Sequence, residues 1–277
     1  MAVRFEKWEG LGNDFVVVSP EAAEGLDARA VCDRHRGIGA DGVLIVSPPG
    51  TGPARMRVIN ADGSEPEMCG NGLRCAALSL VAAGLAPAGR PFPVLTGAGL
   101  HTCEVVDGAA GLVRVTMRPP ALAPAEVPTT LPAEQGVVLD RAIHLGARAL
   151  AVSCVSMGNP HAVTFDPLDG SERAELGPLL EAATDLFPAR VNAGFARLTG
   201  PRAIELFVHE RGAGWTEACG TGACAAAVAA VATGRIAPGG PIAVTLPGGT
   251  LTIEVPAPGQ PVRMTGPARR VFVGELG

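Results

Sequence analysis

The stretch EMCGNGLRCAALSLVAAG, Glu67–Gly84, recurs 150 residues later as EACGTGACAAAVAAVATG, Glu217–Gly234. Half of the eighteen aligned positions are identical, and they include the leading Cys-Gly-x-Gly and the closing glycine. A second, shorter repeat is offset by 146 residues and relates the Gly-Asn pair at 12–13 to the Gly-Asn pair at 158–159. A period of this length is far too long for a solenoid, and it indicates two related halves.

Each repeat predicts one buried helix in its half of the chain. The helices are expected to begin at Cys69 and Cys219 and to end at Gly84 and Gly234, because glycine commonly stops a helix in the left-handed conformation. Both helices carry apolar side chains on nearly every face, which predicts that a sheet wraps around each of them. Segments rich in valine and leucine predict short strands, among them Phe15–Ser19, Val43–Ser47, Arg55–Asn60, Val113–Met117 and Ala203–His209.

A proline-rich segment separates the two halves. The prolines of Arg118–Pro132 disfavour both a helix and a central strand, so the domain boundary is expected there. A length of 277 residues also suits two domains better than one core. We expect a first domain of residues 1–118, completed by a C-terminal strand at 268–277, and a second domain of residues 119–267.

The composition argues against several kinds of partner. The net charge is −5 and the basic residues are scattered, whereas a nucleic-acid site needs a basic patch. No apolar run is long enough to predict a membrane span. The opening residues MAVRFEKWEG lack the apolar core of a secretory leader, so a cytoplasmic protein is expected. Seven cysteines without a close Cys-x-x-Cys pair favour reduced thiols over a disulfide framework or a zinc site.

The lysine content disfavours two classes of cofactor. Lys7 is the only lysine, and its surroundings, FEKWEG, match neither a pyridoxal Schiff-base site nor a P-loop. The segment GIGADG, Gly37–Gly42, matches a dinucleotide-binding pattern, but the strand-like VLIVS follows where a helix is required. It is interpreted as a glycine-rich turn. We expect no cofactor and no metal ion.

The two Cys-Gly-x-Gly sequences predict a chemical site. Amides in the first turn of a helix have no intrahelical partner and lie at the positive end of its dipole, so they favour a thiolate and can bind a carboxylate. Either cysteine alone could simply pack, as most buried cysteines do. Two thiols at equivalent points of related halves can instead act on one carbon from opposite sides, which inversion of configuration requires. The sequence therefore predicts an amino-acid epimerase or racemase that stabilises carbanion character with backbone donors.

Six blocks of the sequence resemble, in the same order, the signature blocks of the diaminopimelate epimerase family. They are GLGNDF, RHRGIGADG, NADGSEPEMCGNGLRC, VSMGNPHAV, RVNAGF and HERGAGWTEACGTGACA, and they extend from Gly10 to Ala225. The resemblance implies an α/β (α+β) fold of two pseudo-symmetric domains, each a mixed curled sheet around a central helix. It also implies a small-molecule substrate, LL- or meso-2,6-diaminopimelate, interconverted without a cofactor in lysine and peptidoglycan precursor biosynthesis. Members of this family often form homodimers.

The same resemblance implies a role for each matching residue. Cys69 and Cys219 would carry the protons. The α-carboxylate of the substrate would be held by Gly70, Asn71, Gly220 and Thr221. The distal amino-acid group would be held by Asn60, Asn159, Asn192 and Arg211. Glu210 would meet the reacting amino group, His161 would support catalysis and Asn13 would line the site.

Three alternatives remain open on the sequence alone. A proline or hydroxyproline racemase also uses two cysteines, but MCGNG, the ERG sequence and the set of asparagines favour diaminopimelate. A non-catalytic amino-acid-binding module is a second alternative. The third is a redox sensor in which Cys69 and Cys219 form a disulfide. Each asparagine of the set could also be an ordinary turn residue, and a lone histidine beside a strand is more often structural than catalytic.

Overall fold

The computed structural model describes residues 3–277, which form two compact units. Unit 1 contains the described residues up to Thr116 together with Thr265–Gly277, and unit 2 is Met117–Met264. No helix in this described part of the chain has the length and hydropathy needed to cross a membrane. In chain order the elements are β1 Val3–Gly10, β2 Asn13–Val18, α1 Ala28–Cys32, β3 Gly42–Ser47, β4 Ala54–Asn60, α2 Gly70–Ala82, β5 Phe92–Thr96, β6 Gly99–Asp107, β7 Leu112–Thr116, a 3₁₀ turn Pro124–Glu126, β8 Arg141–Leu145, β9 Arg148–Ser156, β10 Pro160–Thr164, α3 Gly170–Glu181, β11 Asn192–Gly200, β12 Ala203–Glu210, β13 Gly214–Trp215, α4 Gly220–Ala232, β14 Pro241–Leu246, β15 Gly249–Glu254, β16 Arg263–Pro267 and β17 Arg269–Leu276.

Each unit has a mixed sheet. In unit 1 the strands neighbour one another in the order β17-β1-β2-β3-β4-β5-β6-β7, with parallel pairing between β2 and β3 and between β4 and β5. In unit 2 the order is β8-β9-β10-β11-β12-β14-β15, and β10–β11 and β12–β14 are the parallel pairs. Helix α2 contacts strands from β1 to β7, and α4 contacts strands from β9 to β15. The predicted fold, a mixed sheet curled around a central helix in each half, is confirmed.

The two central helices begin and end as the repeat predicts. Cys69 and Cys219 are the N-cap residues, and each side chain accepts a hydrogen bond from the backbone amide three residues later. Gly84 and Gly234 follow the C-terminal turns with φ of 72° and 73°, a conformation that side chains disfavour. Alanine-rich α4 is buried on nearly every face, because the sheet of its unit surrounds it.

The strand registers repeat as well. Phe15 pairs with Gly42 in the parallel β2–β3 ladder, and His161 pairs with Asn192 in the parallel β10–β11 ladder. These pairs are related by the same offsets of 146 and 150 residues that the sequence shows. The repeat therefore places residues at corresponding points in the strands of the two units.

Helices α1 and α3 were not predicted. Asp169 begins α3 with a capping box, since its side chain accepts from the Ser171 and Glu172 amides while the Glu172 side chain accepts from its own. Leu176 and Leu180 of α3 pack into a core of unit 2. The proline-rich linker, in which neither a helix nor a central strand was expected, has one short 3₁₀ turn and an isolated bridge to β9.

Candidate active site

Cys69 caps the N-terminus of α2 in unit 1. Its sulfur accepts a hydrogen bond from the Gly72 amide at 3.4 Å and donates to Asn13 Oδ1 at 3.8 Å. The same Oδ1 accepts from Asn71 Nδ2 at 3.2 Å. Three of the residues singled out in the sequence are thus in contact, and the thiol has both a donor and an acceptor beside it.

A charged network lies behind Asn13. Asn13 Nδ2 donates to Asp41 Oδ2 at 2.7 Å, and Arg34 Nη2 lies 2.7 Å from Asp14 and 2.8 Å from Asp41. Lys7, only 5% exposed, pairs with Asp14. Burial raises the pKa of the Asp14 carboxyl, but hydrogen bonds from Arg34 and Lys7 outweigh it and hold the pKa at about 2. The single lysine therefore forms a structural ion pair behind the thiol.

Cys219 caps α4 in unit 2 in the same way. The Gly222 amide donates to its sulfur at 3.3 Å, and Thr221 Oγ1 lies 3.6 Å from the sulfur. Burial raises the pKa of the Cys219 thiol well above its usual value and the charge of Glu210 raises it further, although Thr221 and Gly222 lower it.

The balance of these effects decides the protonation of Cys219. Burial is the largest of these effects, while the hydrogen bonds from Thr221 and Gly222 and the helix dipole act against it. The net effect raises the pKa and favours the protonated thiol. At Cys219 burial thus opposes the helix dipole, which favours a thiolate.

His161 lies beside the Cys219 cluster. Its Nε2 is 3.1 Å from Asn159 Oδ1, and Asn159 Nδ2 donates to Thr221 Oγ1 at 3.3 Å. The ring is 1% exposed, and burial, assisted by the charge of Arg211, lowers the pKa of His161 to about 3. The imidazole is therefore neutral at physiological pH.

This burial predicts a measurable pH dependence of stability. In the unfolded chain the ring takes up a proton below about pH 6.5, but in the folded chain it stays neutral until about pH 3, so stability is lost as the pH falls through this window. We expect His161 to account for about 2 kcal/mol of the loss between pH 7 and pH 5. Urea unfolding of the native protein and of His161→Gln at pH 7 and pH 5 measures this contribution. If both proteins lose the same stability between the two pH values, His161 is not the cause.

Three hydrogen bonds fix the end of β12 and the two residues that follow it. Asn192 Oδ1 accepts from the Arg211 amide at 3.0 Å, and the buried Glu181 carboxylate accepts from the Gly212 amide at 3.2 Å. Thr216 Oγ1 donates to Glu210 Oε1 at 2.6 Å. These contacts fix both Glu210 and the backbone of Arg211.

Sequence reasoning missed Asp41, Glu181 and Thr216. Asp41 and Thr216 contact the site residues Asn13 and Glu210 from loops, and Glu181 of α3 holds the Gly212 amide next to Arg211; no repeat marks these positions. Asp41 lies in the turn that was interpreted only as a glycine-rich connection, and Thr216 lies within a quoted signature block. The capping box of α3 is the one sequence signal that would have directed attention towards Glu181.

The remaining site candidates divide between the two units. Gly70 and Gly220 are the first residues of the central helices. Asn60 lies at the end of β4, where its Nδ2 donates to Ser64 Oγ at 3.0 Å. Within residues 3–277, no cluster of three or more histidine, cysteine or acidic side chains is arranged to hold a metal ion. Burial raises the pKa values of three other thiols to about 12, those of Cys75, Cys103 and Cys154.

The chain is similar over its whole length to known proteins. A sequence profile described as diaminopimelate epimerase matches residues 5–122 and 153–271. The chain belongs to the diaminopimelate epimerase family. It is 47% identical over 281 residues to the diaminopimelate epimerase of Desulforudis audaxviator, covering 99% of both chains. It is 46% identical over 289 residues to that of Thermosynechococcus vestitus, covering 100% of both. The family resemblance predicted from the sequence is confirmed, and the protein is an isomerase.

Solved structures of more distant proteins share the fold. A hydroxyproline epimerase from Agrobacterium vitis superposes with a TM-score of 0.70 at 16% identity, covering 99% of this chain and 91% of that one. A phenazine biosynthesis protein from Bacillus anthracis gives a TM-score of 0.71 at 14% identity, covering 100% and 99%. At such identities the likeness extends to the architecture alone.

Proposed function

We propose that the protein interconverts LL- and meso-2,6-diaminopimelate by a two-base mechanism on Cys69 and Cys219, without a cofactor, as a step in lysine and peptidoglycan precursor biosynthesis. The observation that carries the proposal is the pair of N-cap thiols at equivalent points of two repeated units, in a chain whose full-length relatives carry this activity in their names. The two domains expected from the sequence, residues 1–118 with 268–277 and residues 119–267, would be the two halves of the catalyst.

Inversion requires one sulfur on each face of the substrate α-carbon. A thiolate removes the α-proton from one face, and a thiol delivers a proton to the other face; in the reverse direction the two groups exchange roles. Burial favours the protonated form of Cys219, which is the form that delivers a proton. The Glu210 carboxylate, whose charge acts on Cys219, would also bind the reacting ammonium group.

Stabilisation of the carbanion falls to the helix N-termini. The backbone amides at Gly70, Asn71, Gly220 and Thr221 lie in the first turns of α2 and α4, where amides lack intrahelical acceptors. Donors of this kind, aimed at the α-carboxylate, stabilise the charge that develops in the transition state. Adding a Cβ at Gly222 would place it 3.1 Å from Cys219 Sγ, so glycine there lets the amide approach the sulfur.

The polar side chains near Arg211 are suited to binding the distal amino-acid group of the substrate. A guanidinium binds a carboxylate through two parallel hydrogen bonds, and Asn159 and Asn192 would provide the polar contacts beside it. His161 would act as a neutral support that holds Asn159, because its lowered pKa excludes an imidazolium at working pH. Asn13 and Asn60 would complete the site.

The decisive experiment follows deuterium from solvent into the α-carbon of LL- and of meso-diaminopimelate, with no added cofactor. We expect both isomers to exchange and to reach the same mixture. L-Proline and trans-4-hydroxy-L-proline are tested in parallel, since a distant relative of the same fold was crystallised with the latter. Exchange into the prolines alone would replace the proposed substrate, and exchange into none of the four would favour a binding module.

The same proposal includes a homodimer and a reducing compartment. Val271, Phe272 and Val273 on β17 are 46–49% exposed, a run of apolar surface that a second copy can cover. An antiparallel two-fold alignment centred on Phe272 sets Arg269 opposite Glu275 of the second copy, so the charges are complementary. Chemistry on unmodified thiols also requires a reducing environment, which supports a cytoplasmic location.

Phe272→Glu is expected to weaken this dimer. Two introduced carboxylates would meet near the two-fold axis and the burial of two phenylalanine rings would be lost, which raises the dissociation constant by on the order of 100-fold or more. Sedimentation velocity over a range of protein concentrations measures the change. Leu100→Glu is the matched control, because Leu100 is also an exposed apolar residue of unit 1, at 64%. An unchanged dimer in Phe272→Glu, or a monomeric native protein, would contradict the interface.

A further inference from the structure

Asp41 leaves the side-chain amide of Asn13 only one orientation. Asn13 Nδ2 donates to Asp41 Oδ2, and an ionised carboxylate oxygen can only accept. The Asp14 amide donates to the same oxygen at 3.0 Å, and Arg34 holds the other oxygen at 2.8 Å. With Nδ2 committed to Asp41, the atom of Asn13 that faces Cys69 must be the carbonyl oxygen.

The neighbouring contacts agree with this orientation. Asn71 Nδ2 donates to Asn13 Oδ1, while Asn71 Oδ1 accepts from the buried Arg74 guanidinium at 2.9 Å. Arg74 is a cation and can only donate, so the orientation of Asn71 is also fixed. Two separate chains of hydrogen bonds therefore lead to the same arrangement around the Cys69 sulfur.

Unit 2 has no equivalent of this arrangement. Asn159 corresponds to Asn13, but its partners are the hydroxyl of Thr221 and the ring of His161, each of which can either donate or accept. The residue 150 positions after Asp41 is Val191. A carboxylate thus fixes the asparagine beside one thiol only.

We infer that Asp41 is a positioning residue, which acts through Asn13 to keep a hydrogen-bond acceptor against Cys69 and so favours the protonated thiol there. The Gly72 amide opposes this effect, because it donates to the same sulfur and favours the thiolate. The charged side chains around this group are Lys7, Asp14 and Arg34 behind Asn13 and Arg74 on α2. The inference rests on the proposed function only in giving Cys69 a catalytic role.

The test is the pH dependence of iodoacetamide alkylation at Cys69, quantified on its peptide by mass spectrometry in the full chain without substrate. Asp41→Ala leaves Asn13 free to turn its amino group towards the sulfur, which stabilises the thiolate. We expect the midpoint of alkylation to fall by about one pH unit, the size of one hydrogen bond.

Loss of the Asp41 charge would by itself shift the midpoint in the same direction, so the comparison is repeated in an Asn13→Ala background. If Asp41 acts through Asn13, the shift largely disappears in that background. An unchanged midpoint in Asp41→Ala, or equal shifts in both backgrounds, would overturn the inference. Asp41→Val, which places the residue of the corresponding position in unit 2 and has no acceptor, serves the same comparison if the alanine variant does not fold. Because alkylation needs no substrate, its outcome is independent of whether the protein epimerises diaminopimelate.

Discussion

Cys69→Ser and Cys219→Ser are each expected to reduce kcat/KM for diaminopimelate by about 10³-fold or more. A positioned acid or base contributes typically 10²–10⁴-fold, and a serine hydroxyl cannot ionise as a thiol does in the working pH range. Serine is also one of the preferred N-cap residues, so helices α2 and α4 keep their caps and the fold is preserved. Coupled assays of both directions of epimerisation measure the loss.

The matched controls for these two variants are Cys75→Ala and Cys224→Ala. Both residues are buried in the same two helices and lie five or six positions beyond the caps. Their removal is expected to lower stability modestly and to leave kcat/KM within a few-fold of the native value. Normal epimerisation by either serine variant would eliminate the two-base mechanism, and a comparable loss in the control variants would show that the effect is structural.

Arg211→Ala is expected to raise KM for diaminopimelate by about 10–100-fold, with a smaller change in kcat. Hydrogen bonds to a charged group contribute about 1.5–3 kcal/mol, and about 1.4 kcal/mol corresponds to a factor of ten. The backbone amide of Arg211 remains bonded to Asn192 Oδ1, so the segment should keep its path. Initial-rate kinetics with each isomer give the two constants separately.

L-Lysine tests the chemical basis of this effect, because it lacks the distal carboxylate. The native protein should strongly prefer diaminopimelate, and Arg211→Ala should lose most of that preference. Arg197→Ala is the control, since Arg197 is an exposed arginine of unit 2 that pairs with Glu205. Retention of the full preference by Arg211→Ala would place the distal carboxylate elsewhere.

The internal repeat accounts for most of what could be predicted of the fold. It predicted the two central helices and their glycine ends, because capping and hydrophobic pattern act over one or two turns. The strand segments around the site were also found, to within one or two residues at each end. Helix α3 was missed because it belongs to neither repeat, although its capping box is visible in the sequence.

The electrostatics of the site could not be predicted in the same way. Dipole arguments predicted that both helix ends favour a thiolate, but the pKa of Cys219 also depends on burial and on Glu210, nine residues earlier in the chain. The orientation of Asn13 depends on Asp41, which is 28 residues away. Such contacts exist only once the sheets have formed. The roles of individual site residues therefore remain predictions to be tested by the variants described above.

Because the last residues of the chain belong to the same unit as the first, the order in which the two units fold depends on synthesis by the ribosome. Strand β1 lies between β2 and β17, and β17 pairs with it from Val3–Leu276 to Glu9–Arg269. While the ribosome is still translating, the first strand thus lacks one neighbour until the last codons are read. The middle segment, Met117–Met264, is continuous and can fold earlier. In nascent chains stalled before Arg269, the segment Met117–Met264 should therefore resist protease while the residues that precede it are still cleaved.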